Sequence, residues 1–469
     1  MDLPFTLYDN FEYTGIWFLP ESKQNYVSGT LKYSKGRFEL ETIGSITSGD
    51  ADFISGVMQG VEPPKEIAII LGISTSGVRI TLTRCHKSGS NPTMNGLTTY
   101  RYTGHYVYLG YNFDTEENIQ FDTIEISYSN LAEWYPISGI SIDPSSIQDH
   151  KIKIDYSPVE KVKAKINDDF TLELKVKSKF SKNWTNKECS IKESTLLAIK
   201  SITPKHYREF HKLSRCYEYF LMLAMAQRVH PITITGSTKD YTVTIFPDIR
   251  LHEDIPTIPS HHMLFLYHEI ANNFESFIQS WKKLWDLHEE IMATYFTTLF
   301  NRGILTVEIQ FLRVAFVLEA YHRRRFPSAE APLDEEYERM INEMKTKLSD
   351  NQKALEFIEK NRSKPINIIF KHRLEKLTDI CPDVFKDPNE KPQFSIKVVK
   401  TRNFFTHISE EATENVVTDP LEMIYLTHEM MALMEGCFLT ELPFSESKLK
   451  ELIIKNRNIK NYAKEHPIK

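Results

Sequence analysis

Residues 252–260, His-Glu-Asp-Ile-Pro-Thr-Ile-Pro-Ser, separate two parts of the chain that differ in hydrophobic period. Before them, apolar residues recur mainly at every second position, which is typical of strands with one buried face. After them, the period becomes about 3.6 residues, that of an α-helix. The sequence therefore predicts an α+β multidomain protein, with a β-rich, sandwich-like N-terminal domain at 1–252 and an all-α bundle at 260–469.

The N-terminal part is expected to contain one helix that covers its sheet. Thr203 is placed as the N-cap and Pro204 at the first helical position, and apolar residues follow at helical spacing. Upstream, Asn167-Asp168-Asp169 lies between two runs of alternating apolar and polar residues. These three residues predict the turn of a β-hairpin.

The C-terminal part is predicted to be helical throughout, with Gly or Pro in most of its breaks. Helices are expected at 262–300, 304–325, 334–349, 352–361, 366–379, 394–408, 419–440 and 446–460. The helix at 304–325 is apolar on nearly every face. Such a pattern is typical of a helix in the centre of a bundle.

Composition excludes several classes of protein. Lys and Arg number 57 against 63 Asp and Glu, a formal net charge of -6, so any contact with nucleic acid must be local. The five cysteines lie far apart and form no C-x-x-C pair, which argues against a disulfide framework or a zinc knuckle and favours a reducing, cytoplasmic location. We recognise no signal peptide, no apolar run long enough for a bilayer, and no complete zincin, P-loop or serine-hydrolase motif. No metal, cofactor or membrane contact is expected.

The segment 397–407 concentrates groups that handle phosphate: Lys397, Lys400, Arg402, Asn403 and His407. Arginine offers a fixed fork of donors, histidine can move protons near neutral pH, and asparagine can orient either group. At about 100° per residue, Lys400, Asn403 and His407 share one stripe of the helix, whereas Arg402 lies about 140° from His407. Arg402 must therefore reach around the helix or serve a neighbouring chain.

Glu319 is a misplaced charge, because it continues an apolar stripe of helix 304–325. The stripe consists of Leu305, Ile309, Leu312 and Phe316. A carboxylate there is costly unless a cation or hydrogen-bond donor meets it, and the helix of the cationic segment is a candidate supplier. Alternatively, Glu319 pairs with Arg313 or His322 on its own helix.

The same helix ends in Arg323-Arg324-Arg325. Three cations at this position favour the C-terminal end of the helix dipole and are typical of a solvated helix end. Arg323 and Arg324, together with Lys397 and Lys400, are also candidates for binding an RNA backbone.

Arg402-Asn403 followed by His407, late in an all-helical domain, resembles the Arg-Asn-x-x-x-His signature of HEPN ribonuclease domains. The segment Phe11–Pro20, followed by Gly29-Thr30-Leu31 and Phe38-Glu39-Leu40-Glu41, is similar to the β-rich N-terminal domain of ApeA-type anti-phage proteins. Together the two resemblances cover nearly the whole chain, in the domain order of that family.

This resemblance implies a metal-independent endoribonuclease that acts in abortive defence of a bacterium against phage. HEPN domains generally pair, which would bring two copies of the motif into one cleft. His407 would be the general base or acid, Arg402 would stabilise charge on the phosphate, Asn403 would fix one of them, and Glu319 would orient Arg402 or His407. The implied partners are RNA, with tRNA as a candidate, a second copy of the chain, and a phage-encoded trigger.

Two alternatives stay open at this point. The helical part could be a dimerisation unit that binds RNA or a nucleotide without cleaving it, with Arg402 and His407 in structural roles. Alternatively, the chain could be the toxin of a toxin–antitoxin pair, which predicts the same chemistry together with an inhibitor encoded nearby.

Overall fold

The computed structural model describes residues 6–47, 66–91, 97–143, 153–183, 185, 187–249, 255–301, 303–327, 335–362, 370–407 and 414–465. It divides into two compact units, Met1–Gln279 and Ser280–Lys469. The first is β-rich and the second is helical, which confirms the predicted α+β class. The division comes after the change of period at 252–260, because the first turns that follow it pack within the β-rich unit. In that unit, the Trp134 indole donates to the carbonyl of Phe265 at 3.1 Å.

The strands of the first unit are β1 (Phe11–Phe18), β2 (Val27–Ser34), β3 (Arg37–Ile43), β4 (Ile67–Ser74), β5 (Arg79–Asn91), β6 (Thr99–Thr103), β7 (Tyr106–Leu109), β8 (Gln120–Tyr128), β9 (Ile140–Ile142), β10 (Ile154–Tyr156), β11 (Val162–Lys165), β12 (Phe170–Asn183), β13 (Glu188–His206), β14 (Pro231–Ser237) and β15 (Thr242–Pro247). Its helices are α1 (Leu131–Trp134), α2 (Tyr207–Met225) and α3 (Tyr267–Ile270).

Thirteen of these strands form one sheet, in the order β11-β12-β13-β8-β14-β15-β7-β5-β4-β1-β2-β3-β6, and β9 pairs with β10. Because β5 also pairs with β6, the strands from β5 to β6 close into a ring. Trp17 is fully buried and lies so close to Gly72 that a Cβ there would be 2.3 Å from the indole. This close approach explains why glycine occupies that position of β4.

The predicted hairpin is confirmed, since β11 pairs with β12 and the Asn167 side chain accepts from the Phe170 amide at 2.8 Å. The predicted start of the covering helix at Thr203 is wrong. Strand β13 continues to His206, whose ring accepts from the Arg208 amide at 3.1 Å and caps α2. The pairing of β13 with β8 shifts register between Lys200 and Lys205, and this irregularity accommodates Pro204 within a strand. Helix α2 packs on β8 and β13, as expected for a covering helix.

The helices that follow are α4 (Phe274–Phe300), α5 (Val307–Arg325), α6 (Glu335–Lys347), α7 (Gln352–Arg362), α8 (Phe370–Ile380), α9 (Glu390–His407), α10 (Pro420–Thr440) and α11 (Glu446–Glu465). The expected single helix at 262–300 is wrong in its first part, where α3 and two short 3-10 turns precede α4. None of the described helices combines the length and hydropathy needed to span a membrane.

The composition of α5 predicts a helix in the centre of the bundle with every face covered. In the structure, part of its surface is exposed. Phe311, Val314 and Leu318 are fully buried, but Ile309 is 43% exposed and Phe316 is 61% exposed. An apolar pattern identifies a face that avoids water, and it does not tell whether the same chain or another covers that face.

A buried ion pair joins α10 to α11, and a hydrogen bond joins the same carboxylate to α4. Glu435 accepts from the Tyr295 hydroxyl at 2.6 Å and from Lys460 at 2.8 Å, and both charged side chains are almost fully buried. Charges in such a place are tolerated only when they are paired and hydrogen-bonded.

Lys460→Met should therefore lower the free energy of unfolding by about 3 kcal/mol, because it leaves the Glu435 carboxylate buried without its counter-ion. Urea unfolding followed by circular dichroism measures the loss. The double variant Glu435→Gln with Lys460→Met should recover part of it, and a single variant as stable as the wild type would contradict the assigned role of the pair.

Candidate active site

One carboxylate joins α5 to α9. Glu319 Oε2 accepts from Arg402 NH2 at 3.1 Å, and Glu319 Oε1 accepts from Arg323 NH2 at 2.6 Å. The Glu319 side chain is only 14% exposed. Glu319 thus meets the helix of the cationic segment and also a cation of its own helix, but the second partner differs from those expected. This partner is Arg323, whereas Arg313 and His322 were expected.

Arg402 is held from three directions. Besides its bond to Glu319, its NH1 donates to the Asn403 side-chain oxygen at 3.1 Å. The ring of Phe370, from α8, lies 5.7 Å from its guanidinium carbon, within the range of a cation–π contact. The Arg402 side chain is still 34% exposed. Its guanidinium group is therefore oriented in advance and accessible to an anion.

His407 is the last residue of α9 and is exposed. Within the part of the chain that the structure describes, no hydrogen bond or ion pair joins it to Glu319 or Arg402. It follows Arg402 by five residues, a rotation of about 140° around the helix. The motif residues thus separate into a connected group, Glu319, Arg402 and Asn403, and a histidine on another side of the helix.

The two candidate lysines of α9 make other contacts. Lys400 Nζ donates to the backbone carbonyl of Glu414 at 2.9 Å and so fastens the segment that leads into α10. The Val417 amide donates to Thr401 at 2.9 Å and fastens the same segment. Lys397 lines a cavity of about 440 Å³. The acidic residues around this cavity are Glu390, Glu422 and Glu429. The contacts of both lysines are thus separate from the group around Glu319.

The three consecutive arginines of α5 contact three different acids. Arg323 binds Glu319, Arg324 binds Glu290 at 2.6 Å, and Arg325 binds Glu441 at 2.5 Å. Arg324 also donates to the carbonyl of Leu287 at 3.5 Å, next to a kink of α4 at His288. Only Arg323, which is 59% exposed, shares a carboxylate with Arg402.

Phe370 and Arg373, which lie about one turn apart on α8, were not predicted from the sequence. Arg373 is buried, and its NH1 lies 3.1 Å from Nδ1 of the fully buried His322. Burial, followed by the charges of Arg373 and Lys376, lowers the pKa of His322 to about 4. The ring is therefore neutral near pH 7, and Nδ1 accepts from Arg373. The sequence signal that could have identified Arg373 is its place on the apolar face of α8, which also holds Leu374 and Leu377.

The arrangement of these side chains is suited to anion binding. Arg402 and Arg323 lie on one carboxylate and remain partly exposed. Paired guanidinium forks suit phosphate oxygens. Among the described residues, no group of three or more His, Cys, Asp or Glu side chains is arranged to hold a metal ion.

Two family models match the chain. ApeA N-terminal domain 1 matches residues 12–281, more than half of the chain, and Apea-like HEPN matches residues 312–448. The second match includes Glu319, Arg402, Asn403 and His407. No curated protein and no solved structure matches the chain.

The lowered pKa of His322 predicts a pH dependence of stability. Its folded value of about 4 lies below the ordinary 6.5, so between these values the unfolded chain binds a proton that the folded chain does not. Stability should then fall as the pH drops from 6.5 towards 4, by at most about 1.4 kcal/mol per pH unit for this group. Burial also lowers the pKa of His288 to about 4, which adds a second contribution of the same sign.

Urea unfolding at pH 7 and pH 5 tests this dependence. His322→Gln retains an acceptor for Arg373 without a titrating ring, so it should lose less stability on acidification than the wild type. The exposed His372 is the matched control, and His372→Gln should behave as the wild type. Equal losses in all three proteins would contradict the assignment.

Proposed function

Since the chain belongs to the ApeA-like family with a C-terminal HEPN domain, a family of HEPN-type anti-phage effectors, we propose that it is a metal-independent endoribonuclease of abortive phage defence. One observation carries the proposal. Arg402 is fixed by Glu319, Asn403 and Phe370, and yet a third of its side chain is exposed. This arrangement suits a guanidinium group that must meet a phosphate in a defined orientation.

The proposed reaction is an in-line attack of a ribose 2'-hydroxyl on the adjacent phosphate. His407 acts as general base or acid, which contributes about 10²–10⁴-fold in rate. Arg402 stabilises the charge that develops on the phosphoryl oxygens, and Arg323 on the same carboxylate binds the RNA backbone. The products are a 2',3'-cyclic phosphate and a 5'-hydroxyl.

The proposed active form is a dimer through the helical unit. His407 and Arg402 lie on different sides of α9, so a second chain is needed to place a histidine beside each arginine. The exposed apolar residues of α5 support such a contact, because Ile309 is 43% exposed and Phe316 is 61% exposed. Phe316 lies one turn before Glu319, so this face continues directly into the arginine group. A second copy that covers the face would bring its own motif to the site.

The proposed substrate is RNA, with tRNA as a candidate because its loss stops the translation on which phage production depends. The β-rich unit is proposed to respond to a phage-encoded component, and the protein is proposed to act in the cytoplasm.

His407→Ala should abolish RNA cleavage and leave folding unchanged, since His407 is exposed at a helix end and its loss removes only the proton-transfer group. Purified protein is incubated with total RNA in EDTA, and cyclic phosphate ends are sequenced. His268→Ala, at an exposed histidine of α3, is the matched control and should cleave as the wild type does. Full activity of the His407 variant would refute the mechanism. RNA binding without cleavage by the wild type would favour the non-catalytic binding module.

Mixing inactive chains tests whether the site is shared between subunits. Arg402→Ala and His407→Ala are each expected to be inactive. After subunit exchange, half of the dimers are mixed, and each has one complete site, so about a quarter of wild-type activity should return. A site built within one chain predicts no recovery.

Phe316→Glu should weaken the dimer, because it puts a charge at the centre of the proposed apolar contact. Light scattering after size-exclusion chromatography measures the mass, and the cleavage assay measures activity. We expect monomers and lost cleavage together. A dimeric, active Phe316→Glu protein would exclude this face as the interface.

A further inference from the structure

Strands β12 and β13 extend beyond the rest of their sheet as a two-stranded ribbon. Strand β12 pairs with β11 only as far as Leu174, and β13 pairs with β8 only from Leu197 onwards. Within the described part of the chain, residues 175–183 and 188–196, which we call the ribbon, therefore pair only with each other. A hairpin of two strands is marginally stable in water. The ribbon thus adds little to the stability of the sheet and presents both of its faces to the surroundings.

The ribbon is basic, although the whole chain carries a net charge of -6. Residues 175–196 contain six lysines, two glutamates and no arginine. At the base of the ribbon, Lys175 and Lys177 both donate to the carboxylate of Glu125 on β8. Two positive charges therefore meet one negative charge there, and an excess of positive charge remains.

The outer part of the ribbon carries further cations. Lys192 is exposed and lies directly opposite Lys179, so the two lysines share one face. Lys187 is exposed in the turn that joins the strands. Among the residues that the structure describes, the side chains of Lys187 and Lys192 make no ion pair or hydrogen bond. Glu193 lies on the other face, where it accepts from the amide of Gly139 at 2.9 Å.

An aromatic ring accompanies these lysines. Phe180 is 64% exposed and lies opposite Ile191 on the second face of the ribbon. Lysines on a free strand edge also discourage pairing with other chains. An exposed phenylalanine opposes that protection, because it adds an apolar contact surface. Lysines together with an exposed ring are typical of surfaces that bind single-stranded nucleic acid.

We propose that the ribbon binds single-stranded nucleic acid. Lys187 and Lys192 contact phosphates as point charges, and Phe180 stacks on a base. These contacts read neither the edges of the bases nor the ribose 2'-hydroxyl, so binding is independent of sequence and of the sugar. A duplex is stiff over about 50 nm and keeps its bases stacked, so it can reach the lysines of one face but cannot also stack on Phe180 of the other.

Fluorescence anisotropy of the full chain with labelled oligothymidylate, measured over a series of salt concentrations, tests the lysines. The double variant Lys187→Gln with Lys192→Gln should weaken binding about tenfold and lower the slope of log affinity against log salt by about 1.4, at about 0.7 for each lost phosphate contact. Lys163→Gln, at an exposed lysine of β11, is the matched control and should bind as the wild type does. An unchanged affinity and slope in the double variant, or an equal loss in the control, would overturn the inference.

The same measurement tests the aromatic ring. Phe180→Ser should weaken binding about tenfold without a change in the salt slope, because stacking on a base releases no counterion. Tyr26→Ser, at an exposed aromatic residue outside the ribbon, should bind as the wild type does. Wild-type affinity of the Phe180 variant would contradict the assigned stacking contact.

Competing ligands identify the partner. A duplex of the same length should bind more weakly than oligothymidylate, and polyglutamate at the same concentration of charge should not displace the single strand. A duplex that binds as tightly would exclude a single-stranded partner, and displacement by polyglutamate would point to an acidic protein. The ribbon variants should weaken binding of oligouridylate and oligothymidylate by the same factor, and a loss confined to one of them would contradict the independence from the sugar.

This inference goes beyond the proposed ribonuclease activity and does not depend on it, since oligothymidylate lacks the 2'-hydroxyl that the reaction needs. If the ribbon variants lose affinity but the wild type does not cleave RNA, the proposed function fails and the role of the ribbon stands. If the wild type cleaves RNA but the ribbon variants bind oligothymidylate normally, the reverse holds.

Discussion

The carboxylate of Glu319 is the constraint on which the rest of the site depends. It lies on the edge of an apolar face of α5, largely removed from water, and a charge in that place must be met by donors. Arg402 from α9 and Arg323 from α5 supply them, each through a charge-assisted hydrogen bond. The orientation of Arg402 is therefore set by the packing of α5 against α9, together with the side chain of the adjacent Asn403.

The site is a local exception in an acidic chain. The formal net charge is -6, yet Arg323 and Arg402 meet on one carboxylate. Neighbouring arginines of the same helix do not join them, because a helix turns by about 100° per residue and directs successive side chains to different partners. Arg324 and Arg325 accordingly bind Glu290 and Glu441. A positive patch of this kind arises from how helices meet and cannot be read from a run of basic residues.

The half-exposed apolar face of α5 also depends on how helices pack, which the sequence does not show. Ile309 and Phe316 share the helical spacing of Leu305 and Leu312, and from the sequence all of them were expected to lie in the core. The chain itself covers only part of this stripe. Hydrophobic spacing indicates which side of a helix avoids water, but it does not tell whether the same chain or another one covers that side.

Local patterns in the sequence were enough to predict the class of each half, most of the helices of the second unit, the hairpin before β12, and the residues of the Arg-Asn-x-x-x-His motif. These features depend on periodicity, on turn residues and on composition, which are local properties of the chain. Tertiary packing, in contrast, extends β13 to His206 and places Phe370 against Arg402 and Arg373 against His322. It also gives Glu319 the partners Arg402 and Arg323, while Lys397 and Lys400 make contacts elsewhere. Each of these depends on which surfaces of distant segments meet, and that is settled by the packing of whole elements, which no local pattern records.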